Sequence, residues 1–409
     1  MAMTPQELTD YLFLQKLATF PLSIDWKALS SNPCLTWSVL KRHLDKPWYW
    51  FAVTLNNNFS LDRHIFAENA EWDPSGVSSH REITMDCILN KPDFPWDWNR
   101  LSQNPGIRLS DIQTHWNTLP WCLDGLSRHA EINWQFLMEH LTPENSEKWS
   151  WKDLSSAAGI SIENILSRQD FNWDWSAVSR RQDVTWAIVA SQVEASWDWS
   201  ELSHHPNIPW EAVQMYPGLP WDWFWVSIKP VVTWETVRKN ISLPWNLAGL
   251  SLNQNVTMDI IKEHSGVNWD WGCLSRNWGI TWGDIQSNPD LPWHWALLRF
   301  TNMLPNAVDC VAQFPTKPWN FTEISRNPFV SWESICEHPE WNWDYGALSQ
   351  NPCLSWNAVV SKPEKPWDLH HVCRNTAVFC ITPQDYQHGV KQHIAARRIQ
   401  CAWAKRYKK

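Results

Sequence analysis

A chain of 409 residues that is 44% hydrophobic has ample material for a buried core, yet its apolar residues are too interspersed with polar ones for a membrane span. Tryptophan is the anomaly, with 36 copies against 12 glycines, and none of those glycines falls in a phosphate-cradling G-x-G-x-x-G or G-x-x-x-x-G-K pattern, so nucleotide-dependent catalysis is not expected. The net charge of −9 hides an asymmetry: residues 391–409 hold seven Lys or Arg and no acid, leaving 27 basic against 43 acidic residues in the body, a balance that disfavours nucleic acid.

Residues 1–20 read as an N-terminal capping helix, with Thr4 before the first turn and Pro5 within it. Glu7, Asp10 and Lys16 exclude the apolar core of a secretory leader, so a non-secreted, intracellular protein is expected. The ten cysteines are scattered from Cys34 to Cys401 without a C-x-x-C pair, which fits a reducing compartment.

From residue 21 to 380 a 24-residue period dominates. Taking the second aromatic of the Trp-Asp-Trp unit as position zero gives fifteen repeats, centred on residues 26, 50, 74, 98, 123, 151, 175, 199, 223, 247, 271, 295, 321, 345 and 369. Position −2 is Trp in every repeat but the first, where Ile24 stands, and position +3 is always Leu, Val or Ile. Ser holds +4 in twelve repeats, an aliphatic or Phe recurs at +9, a large apolar residue at +11 and mostly another aliphatic at +14. The largest insertion surrounds Thr142 to Ser146.

The +11 and +14 columns lie one helical turn apart, and no period of two competes. Two helices per repeat follow. The longer starts after Ser or Thr at +10 (Thr36, Thr84, Thr185, Thr233, Thr281, Ser331, Ser355) and ends near +17. The shorter, α or 3₁₀, is capped by Asp at −1 (Asp25, Asp97, Asp174, Asp198, Asp222, Asp270, Asp344) and stops at Asn-Pro. Asn32, Asn104, Asn327 and Asn351 at +6 are expected to take a left-handed terminating conformation. Since one unit of this size encloses no core, the columns must stack on those of neighbouring repeats, and the expected fold is an all-α, elongated α-solenoid.

Polar columns are weighed against catalysis. His43, His115, His140, His264 and His338 fall at +17, where other repeats put Lys, Arg or Asn, the composition of a helix C-terminus rather than a metal site. Asp at −1 reads as a cap and Ser at +4 as a local or inter-repeat hydrogen-bonding residue. His204-His205 and His370-His371 lack a metal-binding context. No catalytic, metal or cofactor residues are therefore assigned, and no enzyme activity is expected. Most tryptophans belong in the core, packed edge to face. Trp116, Trp225, Trp278 and Trp341 break the repeat pattern and are the candidate partner-binding residues.

Residues 381–409 form a C-terminal cap and a basic amphipathic helix, suited to a calmodulin-like partner, an acidic surface or an anionic membrane, or simply a solvated end. Its Ala395-Ala396-Arg397-Arg398-Ile399-Gln400 stretch resembles the opening of an IQ motif, departing from it at Ala404 and Lys405; Arg397, Arg398, Ile399, Gln400, Trp403, Lys405 and Arg406 are its candidate contacts.

The pattern Pro-Trp-Asp-Trp-x-x-Leu-Ser-x-Asn-Pro-x-Ile-Thr-Trp-x-x-Val, seen in Leu219-Pro220-Trp221-Asp222-Trp223 and Leu348-Ser349-Gln350-Asn351-Pro352, resembles the tryptophan-rich repeats of giant DNA virus proteins. That resemblance implies a viral protein of infected host cytoplasm or of the virion and carries no catalytic residues. The period also resembles the leucine-rich variant repeat, whose α and 3₁₀ pairs form a superhelix. Together these readings give a non-enzymatic interaction scaffold or structural spacer, with a nucleic-acid-binding repeat protein as the alternative.

Overall fold

A computed structural model of the protein describes residues 5–56, 59, 72–298 and 307–379. The basic segment 391–409, with Arg397, Arg398, Ile399, Gln400, Trp403, Lys405 and Arg406, lies outside them. Among the described residues every regular element is helical, with one isolated bridge between Asn133 and Gly159, and the tandem short helices form a helical repeat solenoid. The chain forms two compact units: one takes residues up to Glu82 together with 306–312 and those from Phe321 onward, the other runs from Ile83 to Pro305 with 313–320.

Both helices of a repeat begin where the residue pattern places them. The first spans four to six residues, as in Trp26–Leu29 and Trp199–His204, except for the three-residue 3₁₀ turn Trp295–Leu297. Its Asp at −1 accepts a first-turn backbone N–H: Asp25 from Ala28, Asp174 from Ala177, Asp270 from Cys273. The second spans six residues in Trp234–Lys239 and Trp356–Ser361, starting at the +11 position. Thr233, Thr281, Ser331 and Ser355 cap it through their hydroxyls. Thr36, Thr84 and Thr185 make no such cap bond, contrary to expectation; the Thr36 hydroxyl instead donates to Asp10 at 2.8 Å.

The aliphatic columns form the core. Leu101, Leu126, Leu154, Val178 and Leu202 at +3, Ile107 and Ile160 at +9, and Ile112, Ile165 and Val189 at +14 are all 0% exposed. Beside them the aromatic columns mesh at fixed angles. The ring at zero meets the Trp at −2 of the next repeat edge to face: Trp175–Trp197 at 5.4 Å and 78°, Trp199–Trp221 at 5.0 Å and 89°, Tyr345–Trp367 at 5.0 Å and 87°. The ring at +11 then lies against the −2 Trp two repeats on, as in Trp210–Trp245 at 5.4 Å and 24°. The −2 column is buried apart from the half-buried Trp72, Trp121 and Trp245, whereas Trp175, Trp199 and Trp223 at zero are half-buried.

A buried indole N–H needs an acceptor, and most −2 Trp residues find it in the same place. Trp173 donates to the Arg168 carbonyl at 2.8 Å, Trp197 to Gln192 at 2.9 Å, Trp293 to Asn288 at 2.9 Å and Trp343 to His338 at 2.8 Å. All these carbonyls belong to position +17, the helix C-terminus, so the backbone there is fixed while its side chain varies. The insertion at residues 142–146 breaks the register: Asn145 takes over the His140 carbonyl at 2.8 Å, and the Trp149 indole is left without a partner.

Two further columns stitch repeats together. Ser at +4 donates to the carbonyl at zero and accepts the backbone N–H at −1 of the following repeat, as Ser179 does from Asp198 at 2.9 Å and Ser203 from Asp222 at 2.8 Å. Position +6 carries the second stitch, and here the expected left-handed conformation is corrected: among the described residues no φ is positive, and Asn253 sits at φ −67°, ψ 125°. Its value lies in the side chain. The Asn253 amide donates to the carbonyls of Ser227 at 2.8 Å, Lys229 at 3.1 Å and Val232 at 3.0 Å in the preceding repeat, while its Oδ1 accepts from Asn255 N–H at 2.8 Å. Asn277 repeats the arrangement on Ser251, Asn253 and Val256.

Other residues at +6 perform the same task. Arg181 donates to the carbonyls of Ser155, Ala157 and Ile160, and Lys229 to His205 and Ile208. Burial without an acidic partner pushes the Lys229 ammonium down to about 8. His80, His129 and His205 use Nδ1 to accept the N–H two residues on, which leaves Nε2 to donate to the preceding repeat. This needs a neutral ring, and burial holds His80 and His205 below the ordinary value of 6.5.

The sign follows. The unfolded chain takes up protons first, so the contribution is complete above the unfolded value and is lost as pH falls towards the folded one. Thermal midpoints are therefore expected to drop as pH falls below the ordinary histidine value of 6.5, and His205→Asn, which restores the commoner residue of the column, should flatten part of that slope. An unchanged slope in His205→Asn would remove the imidazole from the account.

Candidate interaction surface

The four tryptophans that break the repeat pattern separate into two classes. Trp225, on the helix Trp223–Ile228, is 38% exposed and rests against His204 at 4.8 Å; Trp278, in the turn after Trp271–Leu274, is 48% exposed. Trp116 and Trp341 are half-buried and held by histidines at +17: Trp116 stacks on His140 at 3.8 Å, and Trp341 on His338 at 4.1 Å and 6°. Rigid stacking fixes their ring planes and leaves an edge towards solvent. Trp116, Trp225 and Trp278 belong to one unit and Trp341 to the other.

Trp116 also lines an open cleft of about 550 Å³ beside the insertion, with Trp121, Asp124, Asn145 and Lys148. The cleft exists because the insertion lengthens the connection to Trp151, and its walls combine two indoles with a carboxylate and an ammonium. Such a mixture suits a peptide side chain more than a reacting centre.

Further large apolar residues stand in solvent between repeats: Ile241 is 76% exposed, Phe329 67% and Met215 64%. Sequence reading passed over these because aliphatic and Phe residues do not depart from the local composition as an extra Trp does. Their signal is positional, since each sits outside the buried columns at −2, +3, +9 and +14.

The titratable groups are engaged locally. His204 faces Glu201 at 3.4 Å, while His205 belongs to the +6 ladder; His370 faces Asp25 at 3.3 Å, and His371 faces Asp368 at 3.7 Å. Arg128 joins Asp153 at 3.2 Å and also bonds Asp124, so its guanidinium holds the Asp124 carboxyl below the usual range. No cluster of three or more His, Cys, Asp or Glu placed to hold a metal occurs among the described residues. Cysteine departs from the all-reduced expectation at one described position: Cys34 is disulfide-bonded, whereas Cys87, Cys122, Cys273, Cys310, Cys336, Cys353 and Cys373 are free. Burial raises the thiols of Cys310, to about 12, and Cys373, to about 11, which keeps them protonated and unreactive.

No helix among the described residues is long and apolar enough to cross a membrane. Comparison of the chain with family models, curated proteins and solved structures finds no match in any of the three.

Proposed function

We propose that this protein is a non-enzymatic protein–protein interaction scaffold or structural spacer. Its side surfaces bind protein, and the basic segment 391–409 docks an acidic or calmodulin-like partner. The observation that carries this reading is the exposure of Trp225 and Trp278, at 38% and 48%, against a −2 column of indoles that is mostly buried among the described residues. A large ring in water is an unfavourable choice at a position where most repeats carry a small or polar residue or Pro, and such rings are the usual anchors of a protein interface. The polar columns support the same reading, because Asp at −1, Ser at +4 and Asn at +6 are committed to caps and inter-repeat bonds rather than converging on a substrate. A viral setting, in host cytoplasm or virion, rests on the repeat signature alone.

The test is affinity capture with the full chain, a chain ending at Val390, and a Trp225→Ala/Trp278→Ala double variant whose helical content is checked by circular dichroism. A protein retained by the first two and lost at least about tenfold by the third, as for a hot spot worth about 1.4 kcal/mol or more, is the expected outcome. Equal retention by all three removes these tryptophans from the interface. Nuclease-sensitive, salt-sensitive retention would favour the nucleic-acid alternative.

A further inference from the structure

Within one unit, neighbouring repeats are joined by three contacts at constant register. The N–H at −1 donates to the +4 side chain of the preceding repeat: Asp344 to Ser325 at 3.0 Å, Asp368 to Ser349 at 3.0 Å. The Asn amide at +6 donates to the preceding +4 carbonyl: Asn351 to Ser325 at 2.9 Å, Asn375 to Ser349 at 3.1 Å. The side chain at +1 reaches the Asp at −1 of the following repeat, as Thr322 reaches Asp344 at 2.7 Å.

The first repeat follows the helix Pro5–Thr19 rather than another repeat, yet all three contacts are present with the fifteenth repeat in the preceding role. Asp25 N–H donates to Cys373 Sγ at 3.3 Å, the Asn32 amide donates to the Cys373 carbonyl at 2.9 Å, and His370 Nδ1 lies 3.3 Å from Asp25 Oδ2. Cys373 occupies +4, where other repeats use Ser, and its sulfur takes the longer acceptor bond. The short helices Trp26–Leu29 and Leu369–Arg374 thus pack as sequential neighbours do. The N-terminal helix α1, Pro5–Thr19, crosses this joint: Phe13 meets Phe379 at 6.0 Å, Phe20 meets Trp356 at 5.3 Å, and Lys16 Nζ donates to the Val378 carbonyl at 3.4 Å. It covers a repeat–repeat joint, where the sequence suggested a cap over a free end.

We propose that the first and fifteenth repeats form an intramolecular clasp, in which repeat 1 continues the stack from repeat 15 and both ends of the hydrogen-bond ladder are consumed within one chain. An unclasped array would present a donor face on repeat 1 and an acceptor face on repeat 15. Those faces are complementary but not identical, so their pairing between copies would be head-to-tail and open-ended. The tether favours the intramolecular pairing, because joined modules meet at an effective concentration near the millimolar range. Partners are consequently bound by side surfaces such as those around Trp225 and Trp278, and not by the stacking ends.

The experiment places spin labels, attached through bio-orthogonal residues, at positions 31 and 374 of the full chain, with 350 and 374 as the reference pair; all three are exposed and share position +5. It is run with Cys34→Ser, so that the joint is read without the Cys34 disulfide, and repeated with Cys34 intact should the reference pair show that Cys34→Ser has not folded. Dipolar broadening for 31/374 equal to that for 350/374, and unaffected by an excess of unlabelled protein, is the expected result. Broadening in the reference pair alone overturns the clasp. So does broadening that appears on mixing two singly labelled chains and vanishes on dilution with unlabelled protein, which would place the joint between copies.

Discussion

Replacing Asn277 by Leu is expected to lower stability by about 3–5 kcal/mol, because several buried groups lose partners at once and each orphaned group costs about 1–3 kcal/mol. The side chain is 0% exposed and donates to the carbonyls of Ser251 and Asn253 at 2.8 Å and of Val256 at 3.3 Å. Its Oδ1 also accepts the Gly279 N–H at 2.6 Å. Leucine fits the volume and satisfies none of the four. Gly279 sharpens the requirement, since a Cβ added there would lie 2.2 Å from the Gln254 carbonyl, so the turn that the amide braces has no room to move. Because repeat arrays lose cooperativity when one interface is weakened, the measurement should pair urea unfolding with amide exchange resolved along the chain. The expected signature is faster exchange in the peptides covering residues 249–282, with little change four repeats away; a uniform small effect, below about 1 kcal/mol, would show that the ladder is not what holds neighbouring repeats.

Trp221→Ala should cost about 3–5 kcal/mol, the range for removing a large buried aromatic. Trp221 is 5% exposed, meets Trp199 at 5.0 Å and 89° and Trp186 at 5.9 Å, and donates its indole N–H to the Tyr216 carbonyl at 2.9 Å. Trp221→Phe separates the contributions: it keeps an aromatic edge for Trp199 but removes the indole donor, leaving the Tyr216 carbonyl only the Leu219 N–H at 3.2 Å, for an expected loss of about 1–3 kcal/mol from the lost bond and the smaller ring. Thermal unfolding of the two variants checks the order. Equal losses in both would mean that the hydrogen bond dominates the −2 position, and no loss in Trp221→Phe would mean that ring packing alone selects an aromatic there.

The sequence by itself determined the repeat, its period, the helical class and the core columns. This was possible because each unit contacts mainly its neighbours, so one local pattern, written fifteen times, specifies the same packing at each step. Helix starts were legible for the same reason, as Asp at −1 and its first-turn partner lie three residues apart. The edge-to-face order of the −2 and zero rings was also legible, since large rings forced together at one register have few other arrangements; the +11 rings, expected edge to face as well, instead lie stacked or tilted on the −2 Trp, as Trp210 does on Trp245 at 24° and Trp332 on Trp367 at 37°.

What only the tertiary structure decided concerns groups separated by a whole repeat or by the whole chain. Asn at +6 looked like a backbone terminator because its partners, three carbonyls 21 to 26 residues earlier, are invisible to local pattern; the interchange of Asn, His, Lys and Arg in that column makes sense only once those carbonyls are in place. The varied side chains at +17 obscured a fixed role for its carbonyl, which accepts the next Trp indole. Trp116 and Trp341 looked exposed for breaking the pattern, and the structure gave each a histidine to stack on. The meeting of Asp25 with Cys373 was equally hidden, because a repeat unit encodes how to bind its successor but not which unit that successor will be.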